Sequence, residues 1–201
     1  GTDKGSMSFS GNTRSGRLYM SGICTTPDKN ITDATNYAPI TFTGGTANTI
    51  HFGGISATSI QAGYTWTDCR NYGDITLSGY VGDPSIEGSD KGSDAFVGGL
   101  TDLLDTSETK VTSLIRGENH GKIEFTSDFK CANAVRTAGI VARQENATMF
   151  YVEDCWNSGD VIYSGTVSAR SNGVYRMAGC FGAVTAGSQT TKGYIINSGN
   201  V

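Results

Sequence analysis

The chain has 201 residues, with 28 glycines, only 3 prolines and a formal net charge of −4. This length suits one elongated domain, which we predict to cover residues 1–201. The acidic balance disfavours nucleic acid as a partner, because nucleic-acid binding needs clustered Lys and Arg. No segment approaches the ~20 consecutive apolar residues of a membrane-spanning helix, so we expect no membrane insertion.

A block of nine residues recurs along the chain, and Asn71–Gly79 is its clearest copy. Each full copy starts with Asn or Asp and carries apolar residues at its fifth and seventh positions, in most copies between polar ones. This two-residue period predicts a short strand with one buried side. The third position is glycine in all copies but one, and we expect a turn with positive φ there. The full copies are Asp3–Gly11, Asn36–Gly44, Asn71–Gly79, Asn119–Ser127 and Asn157–Gly165, and a sixth starts at Asn197.

A second strand follows each block and ends at a glycine. A small residue precedes that glycine and an apolar residue follows it. Because the apolar residues around it break strict alternation, we predict a bulge or a sharp bend at each of these positions. The small pair would let the backbones of neighbouring repeats approach closely. The five glycines are Gly22, Gly54, Gly99, Gly139 and Gly179.

A third, looser strand leads into the next block, as in Tyr64–Arg70, Val111–Gly117 and Phe150–Trp156. No segment shows the 3.6-residue apolar period of an amphipathic helix. Repeats made of short strands joined by turns are typical of a solenoid. We therefore predict an all-β fold, a right-handed parallel β-helix of about five turns with three short strands per turn.

The five cysteines are expected to be buried small side chains rather than disulfide partners. Cys69 and Cys155 occupy equivalent places in repeats that are two strand spacings apart, about 9–10 Å, which is too far for a disulfide. No Cys-Xaa-Xaa-Cys or Cys/His cluster points to a metal. The acidic insertion Tyr80–Asp94, with Asp83, Glu87, Asp90 and Asp94, has oxygen ligands for a hard cation but not their usual order. We expect a solvated loop there, and neither a cofactor nor a metal.

Several short motifs of the chain invite comparison with a known repeat. Gly179–Gly182 is followed by Asn197–Gly199, and these pieces resemble the Gly-Leu-Xaa-Gly and Asn-Xaa-Gly motifs of the GLUG repeat family. Asp154–Val161 and Asp68–Ile75 resemble its Asn-Cys-Tyr-Asn-Xaa-Gly-Xaa-Val stretch. The resemblance spans nearly the whole chain. It implies a secreted or surface-displayed bacterial protein, often a segment of a larger adhesin-like or peptidase-associated chain, and it transfers no catalytic residue.

A charged column is expected three residues before each block, formed by Asp33, Asp68, Arg116, Asp154 and Tyr194. Polysaccharide lyases and hydrolases of the β-helix type use outward carboxylates with an Arg or Lys on such a face. A catalytic interpretation would assign the chemistry to Asp68, Arg116 and Asp154. The alternative is a surface ladder in which Arg116 relieves the repulsion between the stacked carboxylates, and we favour it.

An aromatic column is expected at the turn that opens each block. Tyr37, Tyr72 and His120 each follow the first residue of a copy, and Trp156 precedes Asn157. Exposed aromatic surfaces suit the apolar faces of sugar rings or a protein partner, and stacking that only stabilises the corner is the alternative. Neither His51 nor His120 has a Ser or Cys partner at a recognised spacing, and the usual hydrolase motifs are absent.

These observations favour a non-catalytic extracellular β-helix module of a bacterial surface protein, serving adhesion or glycan binding. A polysaccharide lyase or glycoside hydrolase of the β-helix type is one alternative, and a structural stalk is the other. The expected partners are a glycan or a host or cell-surface protein. Because both ends of the chain fall within a repeat, we also expect flanking domains in a longer parent chain.

Overall fold

The computed structural model describes residues 5–13, 16–46, 48–82, 93–105, 110–145, 149–167, 175–182 and 188–201. Their regular structure consists of β-strands without a helix, and all strand pairs are parallel. Strands pair with the equivalent strands of neighbouring repeats, and those at the end of a sheet have a partner on one side only. The predicted all-β class is therefore confirmed.

The central strand of each nine-residue block contributes to one five-stranded sheet, which we call the block sheet. Its register keeps equivalent positions opposite each other, so that Ile75 pairs with Ile40 on one side and with Ile123 on the other. The apolar fifth and seventh positions therefore form two continuous buried rows. The strands, in spatial order, are Met7–Phe9, Ile40–Phe42, Ile75–Leu77, Ile123–Phe125 and Val161–Tyr163.

Two further five-stranded sheets follow the block sheet along the chain. The short sheet contains Asn12–Thr13, Gly45–Thr46, Tyr80–Val81, Lys130–Cys131 and Thr166–Val167. The glycine sheet, which leads into the predicted glycines, contains Leu18–Ser21, Ile50–Gly53, Ala95–Gly98, Val135–Ala138 and Tyr175–Ala178. Each strand of the glycine sheet ends in a bend at its glycine, as predicted.

An eight-stranded sheet carries the first residue of each block that starts with Asn, and we call it the asparagine sheet. It contains Ile31–Thr32, Thr35–Asn36, Thr65–Thr67, Arg70–Asn71, Thr112–Ile115, Glu118–Asn119, Met149–Asn157 and Ser188–Asn197. A separate pair joins Thr101–Asp105 to Val141–Glu145. The prediction of three strands per repeat was thus too low. It missed the short sheet, whose strands of only two residues are too brief to show a period.

The core consists of two clusters of apolar side chains. The first lies among the block, short and glycine sheets, and it includes Phe42, Phe52 and Phe125, all fully buried. The second lies beside the asparagine sheet and is centred on Trp66 and Leu114. Burying an apolar side chain of this size contributes about 1.5–3 kcal/mol. The buried side chains of both clusters therefore contribute to the stability of the described part of the chain.

The predicted inward set of the block sheet is confirmed in its middle strands. Ile75, Leu77, Ile123 and Phe125 are completely inaccessible and Val161 nearly so. Met7, Phe9 and Tyr163 of the outer strands were also predicted to face inward, but they are only half-buried. These strands have a partner on one side only, so one flank of each side chain has no neighbouring row to cover it.

The asparagine column, formed by Asn36, Asn71, Asn119, Asn157 and Asn197, runs through the asparagine sheet. The side-chain amide of each of the first four donates to the Oδ1 atom of the next asparagine at 2.7–2.8 Å. The same amide nitrogen donates to the carbonyl oxygen two residues ahead, at 2.8–3.0 Å. A buried amide is tolerated only when its polar atoms are paired, and this ladder pairs them.

The bend glycines pack directly against the asparagine column. A Cβ atom on Gly99 would overlap both the carbonyl oxygen of Gly139 and the Cγ atom of Asn119. Gly54 and Gly139 meet the next glycine and the next asparagine in the same way. The predicted close approach of neighbouring backbones is therefore present, and the asparagine side chain fills the space that a Cβ would need.

The glycines at the third block position have a different role from the one predicted. Gly73, Gly121 and Gly159 do not have positive φ. Instead, a Cβ atom there would overlap the carbonyl oxygen of the equivalent residue one repeat earlier. Glycine is required at these positions because no side chain fits between the two backbones. The non-glycine residues with positive φ in the described chain are Asp33, Asp68, Arg116 and Asp154, with φ between 50° and 57°.

Candidate functional site

The aromatic column is present on the outer face of the asparagine sheet. Asn36, Asn71 and Asn119 lie in register, and the residues that follow them therefore stack outside. Tyr37 and Tyr72 have ring centroids 5.0 Å apart and are nearly parallel. Tyr72 and His120 are 4.7 Å apart with an interplanar angle of 16°. The two tyrosines are 50% and 40% exposed, so solvent reaches the column.

Trp156 closes the column with a different orientation. Its ring lies 5.2 Å from that of His120, at an interplanar angle of 88°. Its Nε1 atom donates a hydrogen bond to Ser198 Oγ at 2.9 Å. The stacked rings of Tyr72 and His120 lie across the long axis of the column. The indole plane is perpendicular to the His120 ring and therefore runs along that axis. Trp156 is 39% exposed, so its surface remains accessible to a partner.

The stacking determines what the aromatic column presents to solvent. The facing surfaces of Tyr37, Tyr72 and His120 are taken up by the neighbouring ring, so these residues mainly present ring edges and the tyrosine hydroxyl groups. Sugar rings pack on aromatic faces, and the indole of Trp156 offers one. The column therefore combines one candidate stacking surface with a row of polar and ring-edge contacts.

His120 is held at both ring nitrogens. Its Nδ1 atom is 2.6 Å from Ser158 Oγ, and its Nε2 atom is 3.0 Å from Glu118 Oε2. Arg70 lies on the other side of Glu118, with its Nε atom 3.5 Å from the same carboxylate oxygen. No serine stands at a recognised spacing from this histidine in the sequence, and Ser158 lies 38 positions away from it. Ser158 becomes its neighbour because Asn119 pairs with Asn157.

The charged column has four of its five expected members in one conformation. Asp33, Asp68, Arg116 and Asp154 share positive φ. In the last repeat the residue with positive φ is Gly193, one place before the predicted Tyr194. The pairing of the last two strands shifts register at this point. The backbone N–H of Tyr194 donates to Asp154 Oδ1 at 3.0 Å.

Asp68 and Arg116, two of the residues weighed for catalysis, form an ion pair. The guanidinium donates to both carboxylate oxygens, Nε to Oδ1 and the second nitrogen to Oδ2, each at 2.8 Å. Hydrogen bonding to Arg116 lowers the pKa of Asp68. A general acid in glycoside cleavage needs a raised pKa, and the change here is in the opposite direction. The geometry supports the surface-ladder interpretation of the column.

A buried polar cluster on the outer side of the glycine sheet escaped the sequence analysis. His51 Nδ1 lies 2.7 Å from Asp102 Oδ2, with 5% and 1% of the two side chains exposed. Arg143 approaches the same oxygen at 3.4 Å and lies over the ring of Phe96. Tyr19 stacks on the other side of the imidazole. Asp102 is 51 positions from His51, and no recognised spacing joins the two residues.

All five cysteines are free thiols, and Cys69 and Cys155 are buried in the second core cluster. Burial raises the pKa of Cys69, Cys131 and Cys155 to about 12 in each case. A thiol with such a pKa is almost entirely protonated near neutral pH, and the thiolate is the reactive form. These cysteines therefore act as core side chains.

Of the acidic insertion, Asp83, Glu87 and Asp90 lie outside the described residues. Asp94 is described, and its Oδ1 atom accepts hydrogen bonds from the Asn133 side chain at 2.6 Å and from the Ala134 backbone at 3.1 Å. The described residues contain no group of three or more His, Cys, Asp or Glu that could hold a metal ion. Over the same residues, no helix has the length and hydropathy needed to cross a membrane.

Comparison with models of known protein families, with curated proteins and with solved structures gave no match for this chain. The resemblance to the GLUG repeat therefore stays a prediction from short motifs.

Proposed function

We propose that this chain is a right-handed parallel β-helix that serves as a glycan-binding module on a bacterial cell surface. In-register parallel pairing of successive repeats, through five-stranded sheets and the asparagine column, supports the coil. The right hand follows from the general preference of parallel crossover connections. The extracellular location follows from the resemblance to the GLUG repeat.

The aromatic column is the observation that carries the binding role. Its four side chains come from four successive repeats and form one accessible row. A row built from separate repeats suits an extended ligand, because equivalent positions recur about one strand spacing apart, ~4.8 Å. Trp156 supplies the stacking surface, while the tyrosine hydroxyl groups and Glu118 supply hydrogen bonds to sugar hydroxyls.

A structural stalk is the second candidate function. The ring faces of Tyr37 and Tyr72 are directed at each other, which is the arrangement expected if stacking serves only to stabilise the corner. Cleavage of polysaccharides by Asp68, Arg116 and Asp154 is the weaker alternative, because Arg116 occupies both oxygens of Asp68.

A glycan array followed by calorimetry tests the proposal. The purified chain is screened first, and the best ligand is then titrated into the wild type and into Trp156→Ala and Tyr72→Ala variants. Losing an aromatic contact should weaken binding about twofold to tenfold. Tyr175→Ala removes a ring of similar exposure outside the column and is the matched control. Equal affinity in all variants, or no glycan binding at all, would favour the stalk.

A further inference from the structure

Ser158, His120 and Glu118 form the arrangement of a nucleophile, a base and an orienting acid. The serine oxygen lies 2.6 Å from one imidazole nitrogen, and the glutamate oxygen lies 3.0 Å from the other. Activated serines are recognised by these two contacts, whatever the order of the residues in the chain. The three residues come from two neighbouring repeats, and the pairing of Asn119 with Asn157 brings them together.

The tautomer of His120 follows from its neighbours. Glu118 accepts hydrogen bonds, so the Nε2 atom of neutral His120 carries the proton and donates it to this carboxylate. The Nδ1 atom then has a free lone pair directed at the Ser158 hydroxyl. Arg70 keeps a positive charge 3.5 Å from Glu118 and helps to hold it. The imidazole is thus set to take a proton from Ser158.

The group is accessible to a substrate and has a candidate donor for a developing oxyanion. The side chains of His120 and Glu118 are 18% and 25% exposed, and Ser158 is half-buried. The Nε1–H group of Trp156 reaches Ser198, which lies one strand away from Ser158 in the same column. A substrate carbonyl at Ser158 can take this hydrogen bond in place of Ser198 Oγ. Such a donor stabilises the negative charge that forms during acyl transfer.

We propose that Ser158, His120 and Glu118 hydrolyse carboxylic esters, with Trp156 as the oxyanion donor. His120 Nδ1 removes the Ser158 proton while Oγ attacks the ester carbonyl. The tetrahedral intermediate expels the alcohol, which takes the proton from His120. Water, deprotonated by the same imidazole, then attacks the acyl-serine, and its proton returns to Ser158 as the carboxylic acid leaves. The substrate class is short O-acyl esters, and placing them on a glycan rests on the proposed function.

A fluorophosphonate probe tests the nucleophile without any glycan. Attack by Ser158 Oγ on phosphorus forms a phosphonate ester of the serine and releases fluoride, and mass spectrometry of peptides locates the adduct. We expect labelling at Ser158, its complete loss in Ser158→Ala, and normal labelling in Ser78→Ala. Ser78 is a half-buried serine whose hydroxyl donates to the Phe42 carbonyl instead of a histidine. Absence of label at Ser158 in the folded protein would overturn the assignment.

Hydrolysis of p-nitrophenyl acetate tests the other roles. His120→Ala should lower the rate at least about 100-fold, as expected for loss of a general base. Trp156→Phe keeps an aromatic ring but removes the donor, and should lower kcat about 100-fold with little change in KM. Glu118→Gln should move the pH profile, because it removes the charge beside His120. Rates in these variants equal to wild type would refute the proposal.

The two proposals fail in different ways. Labelling of Ser158 without glycan binding leaves the ester chemistry in place and removes the binding role. Glycan binding that depends on Trp156, with no label at Ser158, supports the binding role and overturns the ester chemistry.

Discussion

The asparagine column and the aromatic column are neighbours in sequence and differ in almost every physical respect. Asn36, Asn71, Asn119 and Asn157 are buried, identical and joined by one repeated hydrogen bond. The residues that directly follow them are exposed or half-buried and chemically varied. A strand directs successive side chains to opposite faces, so one position makes the difference between interior and surface.

This contrast separates the requirements of folding from those of binding. An inner position must repeat the same side chain, because each asparagine accepts a hydrogen bond from the one before it and donates one to the one after it. An outer position needs only to tolerate its neighbours, so it is free to carry different chemical groups. The residues that directly follow the asparagines vary from tyrosine to histidine to serine, and we place the function at these positions.

The largest expected effect on stability comes from adding a side-chain atom beside the asparagine column. Gly99→Ala places a methyl group against the carbonyl oxygen of Gly139 and the side chain of Asn119. Since backbone on the next repeat must move, we expect a loss of more than about 4 kcal/mol in the free energy of unfolding, or no folded protein. Urea unfolding followed by circular dichroism measures it.

Gly117→Ala is the matched control for that substitution. The three atoms nearest to a Cβ there belong to the side chains of Leu100 and Leu114, the closest at 2.9 Å, and side chains can shift more easily than backbone. We expect a loss of about 1–2 kcal/mol. Equal costs for the two substitutions would mean that the close approach of the backbones is not what requires glycine at position 99.

A second expected effect compares the two faces of one strand in the block sheet. Phe125→Ala removes a completely buried ring and should cost about 3–5 kcal/mol. Its neighbour Glu124 points outward and contacts Lys122, so Glu124→Ala should cost less than about 1 kcal/mol. Denaturant unfolding of the two variants measures the loss in the free energy of unfolding that each substitution causes. A cost below about 1 kcal/mol for Phe125→Ala would show that the inner row is not the core.

The smallest expected effect concerns the charged column and depends on pH. The pKa of Asp68 is lowered in the folded state by Arg116, so the pair stabilises the protein above the ordinary Asp pKa, near 4. That stabilisation disappears as the pH falls through the lowered value. Asp68→Asn should therefore cost less than about 1 kcal/mol at pH 7, and the cost should become smaller as the pH is lowered. A difference that persists unchanged at pH 2 would contradict the ion pair as its cause.

Much of the architecture was predictable, because the fold repeats in the sequence. The alternation in Asn71–Gly79 and its copies predicted the block sheet, and the alignment of copies placed Tyr37, Tyr72 and His120 in one column. Spacing alone could not predict contacts that depend on side-chain orientation. The imidazole of His120 reaches Ser158, 38 residues away, through a choice of rotamer that no period encodes.

Backbone conformation was the other feature that sequence reasoning missed. Glycine at the third block position suggested positive φ, whereas Asp68, Arg116 and Asp154 adopt it and Gly73 does not. Glycine allows both a positive φ and the close approach of another backbone segment. Its presence in the sequence therefore does not show which of these two requirements it meets. The distinction becomes visible only when the carbonyl oxygen of the previous repeat is located.

The most direct test compares Asn119→Ala with His120→Ala, two adjacent substitutions on opposite faces. Asn119→Ala removes a fully buried amide and takes one hydrogen bond each from the side chains of Asn71 and Asn157, so it should cost about 2–4 kcal/mol. His120→Ala should cost about 1 kcal/mol or less and weaken ligand binding. The measurement is the free energy of unfolding of both variants in urea, under one set of conditions. A cost for Asn119→Ala at least twice that for His120→Ala is the predicted result, and equal or reversed costs would contradict the division between the two columns.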